Sequence, residues 1–227
     1  MNRLIDMAWP EVEAVAATSV LVVPVGSTEQ HGPHLPFTVD TEIAAALCDR
    51  LAQARDRVVV APAFSYGSSG EHAAFPGSLS IGLGGVETLV LELVRSADAF
   101  AGVLLVNGHG GNSGAVSRAV RRLGEEGRHV TCWSPNGSAV DSHAGRTETS
   151  VMLALRPESV RLDLVEPGDC RPLGEIMPLL VRSGVVSVSA NGVLGDPRGA
   201  TCGEGRRVLE HWTAGLLSAY DTWTPVS

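Results

Sequence analysis

Aromatic side chains are scarce in this chain of 227 residues: Phe, Trp and Tyr make up 4% of it. A core must therefore rest on Val, Leu, Ile and Ala, and a hydrophobic content of 44% supplies them. An excess of positive charge is missing too. The net charge is -8, whereas phosphate backbones are bound by clustered Lys and Arg, so a nucleic acid is excluded as partner. The run "RAVRRLGEEGR" is mixed in sign and reads as the exposed face of a helix. The four cysteines, Cys48, Cys132, Cys170 and Cys202, lie far apart with no CxxC spacing. That excludes a zinc knuckle or a thioredoxin-like motif and suits free thiols in a reducing cytoplasm. No apolar run approaches the roughly 20 residues that span a bilayer. The opening "MNRLIDMAWPEVEAVAATS" carries acids throughout and lacks the apolar stretch of a secretory signal. A cytoplasmic protein with no membrane partner is expected. Repeats, low-complexity tracts and linkers are also absent, so a single domain over residues 1–227 is expected, long enough to bury a full core.

What the sequence does contain is a series of short β-branched runs, each ending in glycine or proline. They are "SVLVVPVG" (19–26), "RVVVAPAFSYG" (57–67), "GVLLVNGHGGN" (102–112) and "HVTCWS" (129–134). Near-continuous apolar runs of this length suit strands covered on both faces, as in a parallel sheet. Helical patterns lie between them. "DTEIAAALCDRLAQA" opens on an Asp-Thr cap candidate and places Ile43, Leu47 and Leu51 on one face. "GVETLVLELVRSADAF" and "SGAVSRAVRRLGEEG" behave alike, and the second stops at glycine. The alternation predicts an α/β domain with right-handed crossovers and ligands beyond the carboxyl ends of the strands. Residues 162–196 are less regular. They offer one strand, 184–190, and an expected place on a sheet edge or at a subunit interface. A helix from "CGEGRRVLEHWTAGLLSAYDTW" closes the chain.

The loop "VGSTEQHGPHLPFTVDTE" holds Glu29, His31, His34, Asp40 and Glu42 with no Lys or Arg. Acids crowded without basic partners repel each other unless a proton or a metal cation sits between them. Neutral imidazole with carboxylate suits zinc, iron or manganese. An extended segment would point Glu29 and His31 the same way. A polar loop in which Asp40 only caps a helix and Glu29 is solvated stands beside that reading. "VNGHGGNSG" brings Asn107, His109 and Asn112 to the end of a buried strand, and it lacks the GxGxxG register of a dinucleotide site. "DSHAGRTETSVMLAL" puts His143 before a helix start and Glu148 in its first turns. "GSSGEHAAFPGSLSIG" carries Glu71 and His72; for His72 a surface position is the commoner reading, and His34 and His129 read as a loop contact and a strand-edge residue. Together Glu29, His31, Asp40, His109 and Glu148 offer three carboxylates and two imidazoles, a donor set for two divalent ions sharing Asp40. Such a pair lowers the pKa of a water between the ions and polarises a carbonyl. His143 is then left to carry a proton to a leaving nitrogen. No GxSxG elbow supports a serine hydrolase.

With these residues in place, the chain resembles the creatininase (creatinine amidohydrolase) family. The likeness runs through "LIDMAWPEVEA", "VPVGSTEQHGPHLPFTVDT", "GSSGEHAAFPGSLSIG", "LLVNGHGGN" and "DSHAGRTETSVML". "GEHAAFPGSLSIG" with "HAGRTETS" is most similar to the branch serving mycofactocin systems. The resemblance implies a three-layer α/β/α sandwich with a mostly parallel sheet, assembled as a homo-oligomer, a hexamer or larger. It implies two divalent metals per subunit, Fe(2+) and Zn(2+), with Mn(2+) as the alternative, on Glu29, His31, Asp40, His109 and Glu148. His143 and Glu148 fall at catalytic positions, and His72, Asn112 and Arg146 are the expected substrate contacts. Arg146, where many relatives have Glu, could meet a peptide carboxylate or lie exposed. Creatinine-hydrolysing members carry an acid two residues after the third motif's His, where this chain has Gly111. That departure argues against creatinine and leaves Glu148 to complete the second metal. The implied substrate is a modified precursor peptide, cut near its C-terminus to release a crosslinked Val-Tyr-derived dipeptide. A small-molecule amidohydrolase acting on creatinine, a formamide or another cyclic amide is the alternative.

Overall fold

The β-branched runs pair side by side and in parallel. The strands are β1 (Asn2–Arg3), β2 (Val20–Val25), β3 (Val58–Val60), β4 (Gly102–Asn107) and β5 (Val130–Trp133). Their order across the sheet is β1-β3-β2-β4-β5 in the computed structural model, which describes residues 2–137 and 141–224. β2 and β4 run in register from Val20 opposite Gly102 to Val25 opposite Asn107. All residues of β2, β3 and β4 are buried, which is why these runs lack the polar alternation of a half-exposed strand.

The described residues form seven α-helices, α1 (Trp9–Val15), α2 (Val39–Ala54), α3 (Gly82–Ser96), α4 (Ser113–Glu125), α5 (Arg146–Leu155), α6 (Leu173–Ser183) and α7 (Cys202–Trp223). Alternation along each strand sorts the core into two halves. Val20, Val22, Val60, Leu104 and Val106 face Leu47 and Leu51 of α2, Met152 of α5 and Leu216 of α7. Leu21, Val23, Val59, Val103 and Leu105 face Val90 of α3 and Val116 and Leu123 of α4. The result is an α/β/α sandwich. Each fully buried Val or Leu contributes about 1.5–3 kcal/mol relative to an exposed one, so small aliphatics carry most of the core, with Trp212 and Tyr220 the aromatics buried among them.

Three expectations need correction. The strand expected at 184–190 does not form; α6 ends at Ser183 and Val185–Ser187 is a single 3-10 turn. This region does not extend a sheet edge. Ile176, Leu180, Val185 and Leu194 form a small cluster of their own with Phe75 packed against it. The helix after the first loop also begins earlier than the Asp-Thr cap reading: Thr38 is its N-cap, without a side-chain cap bond, and Asp40 lies inside the first turn.

α7 packs directly on α5. A Cβ at Gly205 would stand 1.8 Å from the Ser150 carbonyl oxygen, while a Cβ at Gly203 would meet only the tip of Arg207 at 3.9 Å. Gly205→Ala is therefore expected to destabilise the protein by about 1–3 kcal/mol through overpacking. Gly203→Ala is expected to be neutral or to stabilise by up to about 1 kcal/mol through helix propensity. Denaturant midpoints of the two variants, measured side by side, check both signs.

Candidate metal centre

The strand order reverses beside β2. Its continuation leads through α2 to β3 on one side, and β4 leads through α4 to β5 on the other. The carboxyl ends of β2 and β4 thus open a crevice, the usual ligand position in such sheets. Glu29 and His31 follow β2, His109 follows β4, and the first turns of α2 and α5 bring Asp40 and Glu148. Two glycines let α2 seat this deeply. A Cβ at Gly26 would stand 2.5 Å from Thr41 Cα, and one at Gly108 would stand 2.4 Å from the Asp40 carbonyl oxygen. A cavity of about 900 Å³ lies at the other end of the sheet among Arg55, Arg57, His129 and Tyr220 and holds none of these residues.

Asp40 spans the cluster. Its Oδ1 is 3.2 Å from His31 Nε2 and its Oδ2 is 3.1 Å from His109 Nδ1. Glu29 Oε2 lies 3.2 Å from His109 Nε2, and Glu148 Oε2 lies 3.8 Å from His31 Nε2. Backbone carbonyls orient both rings. His31 Nδ1 donates to the Glu29 carbonyl at 3.1 Å, and His109 Nε2 donates to the Ser68 carbonyl at 2.8 Å. In neutral rings the remaining lone pairs, on His31 Nε2 and His109 Nδ1, then face Asp40, as orienting partners arrange for metal-binding histidines. Ser27 Oγ donates to Asp40 Oδ2 at 2.6 Å. Of the four groups of described residues that could hold an ion, two share Asp40, Glu29–Asp40–His109 and His31–Asp40–Glu148; the others are Glu29–His31–His143 and Glu29–Glu71–His72.

The ion-pair partners of Glu29, Asp40 and Glu148 among the described residues are all histidines. Burial pushes Glu29 up to about 8, aided by the charge of Asp40 and opposed by His109 and His31. Burial likewise lifts Glu148 to about 7. For His31 and His109 burial opposes the charge. It is outweighed by Asp40 at His31, which rises to about 9, and by Glu29 and Asp40 at His109, which rises to about 10. The same two rings hold Asp40 well below its ordinary value against its own burial. Protons thus collect where cationic charge is required. Glu29 Oε2 is buried and has no hydrogen-bond partner. Three acids, two oriented imidazoles and an orphaned carboxylate oxygen fit divalent ions with mixed N/O ligands.

His143 is buried between His31 and His72, with ring centroids 4.2 and 4.5 Å away, and its Nδ1 is 3.6 Å from Glu29 Oε1. Burial, with His31 and His72, drives its pKa well down. His72 is not on the surface: it is 4% exposed, with Nε2 3.5 Å from Glu29 Oε1. His34 is more than a loop contact, being fully buried with Nε2 2.9 Å from Thr149 Oγ1. His129 stacks on Trp223 far from the cluster. Asn112 is buried with both amide protons engaged, donating to the Gly26 carbonyl and to Asn107, and it accepts from the Ser68 N–H. It braces the crevice and has no proton left for a substrate. Arg146 is half exposed and its guanidinium pairs with Glu204 at 2.8 Å.

Residues that pattern reading missed complete the site. Asp141 accepts from the N–H groups of Arg146 and Thr147 at 2.8 Å and so caps α5. Ala144 has φ 53°, the only positive value at a described non-glycine residue, and its N–H donates to Glu148 Oε2 at 2.6 Å. Such a conformation costs about 1–3 kcal/mol and clusters at functional sites. A Cβ at Gly111 would stand 2.3 Å from the Ser68 carbonyl and 2.7 Å from Glu71 Oε1. An acid there would displace the 68–71 loop, so the carboxylate beside His31 comes from α5 instead.

The fold is that of solved creatininases. A tryptophan-to-alanine variant of creatininase superposes with a TM-score of 0.82 at 29% identity, over 98% of this chain and 99% of that one. Creatininases solved in a Zn–Zn form and a Mn form each give 0.80 at 28% identity, so divalent metals occur in this family. The creatininase family profile, described as creatinine amidohydrolase, matches residues 5–220. The chain belongs to the creatininase family and is a hydrolase. It is 47% identical over 227 residues to a mycofactocin precursor peptide peptidase of Mycobacterium ulcerans (strain Agy99), covering 96% of this chain and 87% of that protein. A second protein of that name, from Mycolicibacterium smegmatis, is 45% identical over 91% of this chain and 86% of its own length. Creatinine amidohydrolase of Pseudomonas putida is 30% identical over 94% of each.

Metal loading should release protons. His31, His109 and Glu29 hold protons below about 9, 10 and 8 respectively, and each must lose its proton to ligate. Affinity for Zn(2+) is expected to fall as pH drops from 10 through 8, and further near 7 where Glu148 also takes a proton. Adding zinc to metal-free protein in weak buffer at pH 7, with an indicator dye, should acidify the solution. Equal affinity at pH 6 and pH 8 would contradict this charge assignment.

Proposed function

We propose that the chain is a dinuclear metal-dependent peptidase. It hydrolyses an amide bond near the C-terminus of the modified mycofactocin precursor peptide and releases the crosslinked Val-Tyr-derived dipeptide. The observation that carries this reading is the gradient of likeness: 47% identity to a peptidase of that name against 30% to a creatinine amidohydrolase, each over more than nine-tenths of the chain. The clash that an acid would meet at Gly111 supports the same direction.

Glu29, Asp40 and His109 hold one ion in this reading, and His31, Asp40 and Glu148 the other. Iron(II) and zinc are the expected pair, with manganese(II) the alternative. Bound there, the ions would make a water between them acidic and polarise the scissile carbonyl. The protein supplies the rest. His143, kept neutral by burial, accepts a proton from the attacking water at Nδ1 and returns it to the departing amine nitrogen as the C–N bond breaks. Its stacking between His31 and His72 fixes the ring for both transfers. The strained Ala144 N–H holds Glu148 beside His31, where it would ligate the second ion. His72 lines the same space. Arg146 could receive a peptide carboxylate only by exchanging Glu204 for it.

The chain works as one domain over residues 1–227 in this reading. It acts in the cytoplasm, consistent with four free cysteines, and no described helix is long and apolar enough to cross a membrane. It assembles with copies of itself as a hexamer or larger oligomer. Ile5, Trp9 and Val181, each 70% exposed or more, are apolar surface for such contacts.

Mass spectrometry of the modified precursor peptide, before and after exposure to metal-loaded protein, tests the function. Cleavage of the peptide with no turnover of creatinine or formamides is expected. Glu29→Ala and Asp40→Ala should each cut turnover beyond the roughly 10–100-fold that changes around a metal's ligands produce. Retained cleavage in both variants, or turnover of creatinine alone, would overturn the assignment.

A further inference from the structure

Gln30 sits between two candidate ligands and touches neither of their metal-facing atoms. Its side chain points instead to the two other imidazoles of the site. The orientation of its amide is fixed by backbone groups of opposite polarity. The Gly32 N–H donates to Gln30 Oε1 at 2.8 Å, and Gln30 Nε2 donates to the Gly192 carbonyl at 3.0 Å. A flipped amide would face acceptor to acceptor and donor to donor at once, so nitrogen and oxygen are assigned by chemistry.

That assignment propagates. The second amide proton of Gln30 Nε2 meets His72 Nδ1 at 2.9 Å. His72 Nδ1 must accept, so the neutral ring carries its proton on Nε2. The backbone carbonyl of the same Gln30 lies 2.8 Å from His143 Nε2. A carbonyl only accepts, so His143 Nε2 carries the proton and Nδ1 carries the lone pair. Gln30 Nε2 also lies 3.1 Å from His143 Nε2. Its two protons are already directed at Gly192 and His72, and a lone pair on His143 Nε2 would confront the carbonyl at the shorter distance.

We propose that Gln30 is a positioning residue that locks His72 and His143 in the same tautomer but with opposite ends toward Glu29. His72 presents an N–H and His143 presents a lone pair to one carboxylate oxygen. The distances are 3.5 Å from His72 Nε2 and 3.6 Å from His143 Nδ1 to Glu29 Oε1. Two adjacent imidazoles thereby have different functions. His143 can only take up a proton there, as the base that receives it from the attacking water. His72 can only donate a hydrogen bond there. Its N–H stands 3.5 Å from Glu29 Oε1, while Oε2, the oxygen without a partner, is turned toward His109. The tautomer assignment stands on hydrogen-bond polarity alone; only its consequence for the proton path rests on the hydrolytic function proposed above.

The test separates the two. Long-range ¹H–¹⁵N spectra of zinc-loaded, ¹⁵N-histidine protein, assigned with His72→Gln and His143→Gln, should show the proton on Nε2 of both rings. In Gln30→Glu the carboxylate cannot donate, so His72 is expected to move its proton to Nδ1. His143, held by the backbone carbonyl, should keep its own on Nε2. The kcat for the peptide should fall about 10–100-fold, a range typical of residues that orient others at a metal site, with KM changed less than threefold. Gln30→Met, which removes the donor without adding charge, should leave His72 a mixture of tautomers and serves if the glutamate variant fails to fold. A wild-type His72 protonated on Nδ1, or a tautomer unmoved in the Gln30 variants, would overturn the proposal. Wild-type protein that shows the expected tautomers yet leaves the peptide intact would overturn the peptidase function and not this one.

Discussion

One carboxylate, Asp40, lies between two imidazoles, one oxygen to each, and most of the surrounding architecture follows from placing it there. A buried carboxylate loses its water, and the penalty for a real buried ion is several kcal/mol. The N-terminus of α2 offsets part of it, yet a helix terminus contributes only about 0.3–1 kcal/mol in exposed settings and up to about 2 in buried ones. The remainder has to come from cationic charge in contact. The described ion-pair partners of the three acids are histidines, and burial with Asp40's charge lifts Glu29 to about 8. The cluster therefore takes up cations, as protons or as metal ions.

This requirement reaches into parts of the fold that carry no charge. Asp40 can enter the crevice only if α2 starts against the sheet ends, and Gly26 and Gly108 remove the two Cβ atoms that would prevent it. His31 and His109 can face Asp40 only if carbonyls hold their other nitrogens, and those belong to Glu29 and Ser68, in two different loops. Glu148 reaches the cluster from a third direction, on a helix capped by Asp141 and beside an alanine in a strained conformation. The apolar sandwich beneath supplies the rigidity. Its central strands β2 and β4 are buried throughout and lie side by side, so that they deliver their loops to one crevice.

The four short apolar runs form strands close to their expected positions, and for β2, β3 and β4 the reason is that parallel strands buried on both faces leave a near-continuous hydrophobic signature. The five charged candidates do gather in one cluster, and what pointed to them was a crowd of acids without basic neighbours. What was not legible depended on tertiary contact. His72 reads as a surface residue until the 185–196 segment is folded over it. The apolar run at 184–190 has strand composition, but its partners are Phe75 and α6 rather than a sheet edge. Asp40 looks like a helix cap because an acid near a helix start is common, and only its distances to two rings distinguish it. Gln30 gave no signal at all, since a lone amide between two ligands has no spacing rule.

The segment after α6 carries none of the candidate ligands, yet the centre depends on it. Gly192 fixes the Gln30 amide through its carbonyl, and Leu194 exchanges backbone hydrogen bonds with His143 on both sides. The candidate ligands come from the loops after β2 and β4 and from α2 and α5, whereas Gln30 and His143 are held by this one strap. In the proposed function, metal affinity and proton transfer would consequently be supported by different pieces of chain. A change in the strap can alter how a substrate is approached or protonated while Asp40 and its two imidazoles stay where the sheet puts them. A family sharing one sheet-edge centre can thereby include both a creatinine amidohydrolase and precursor peptide peptidases.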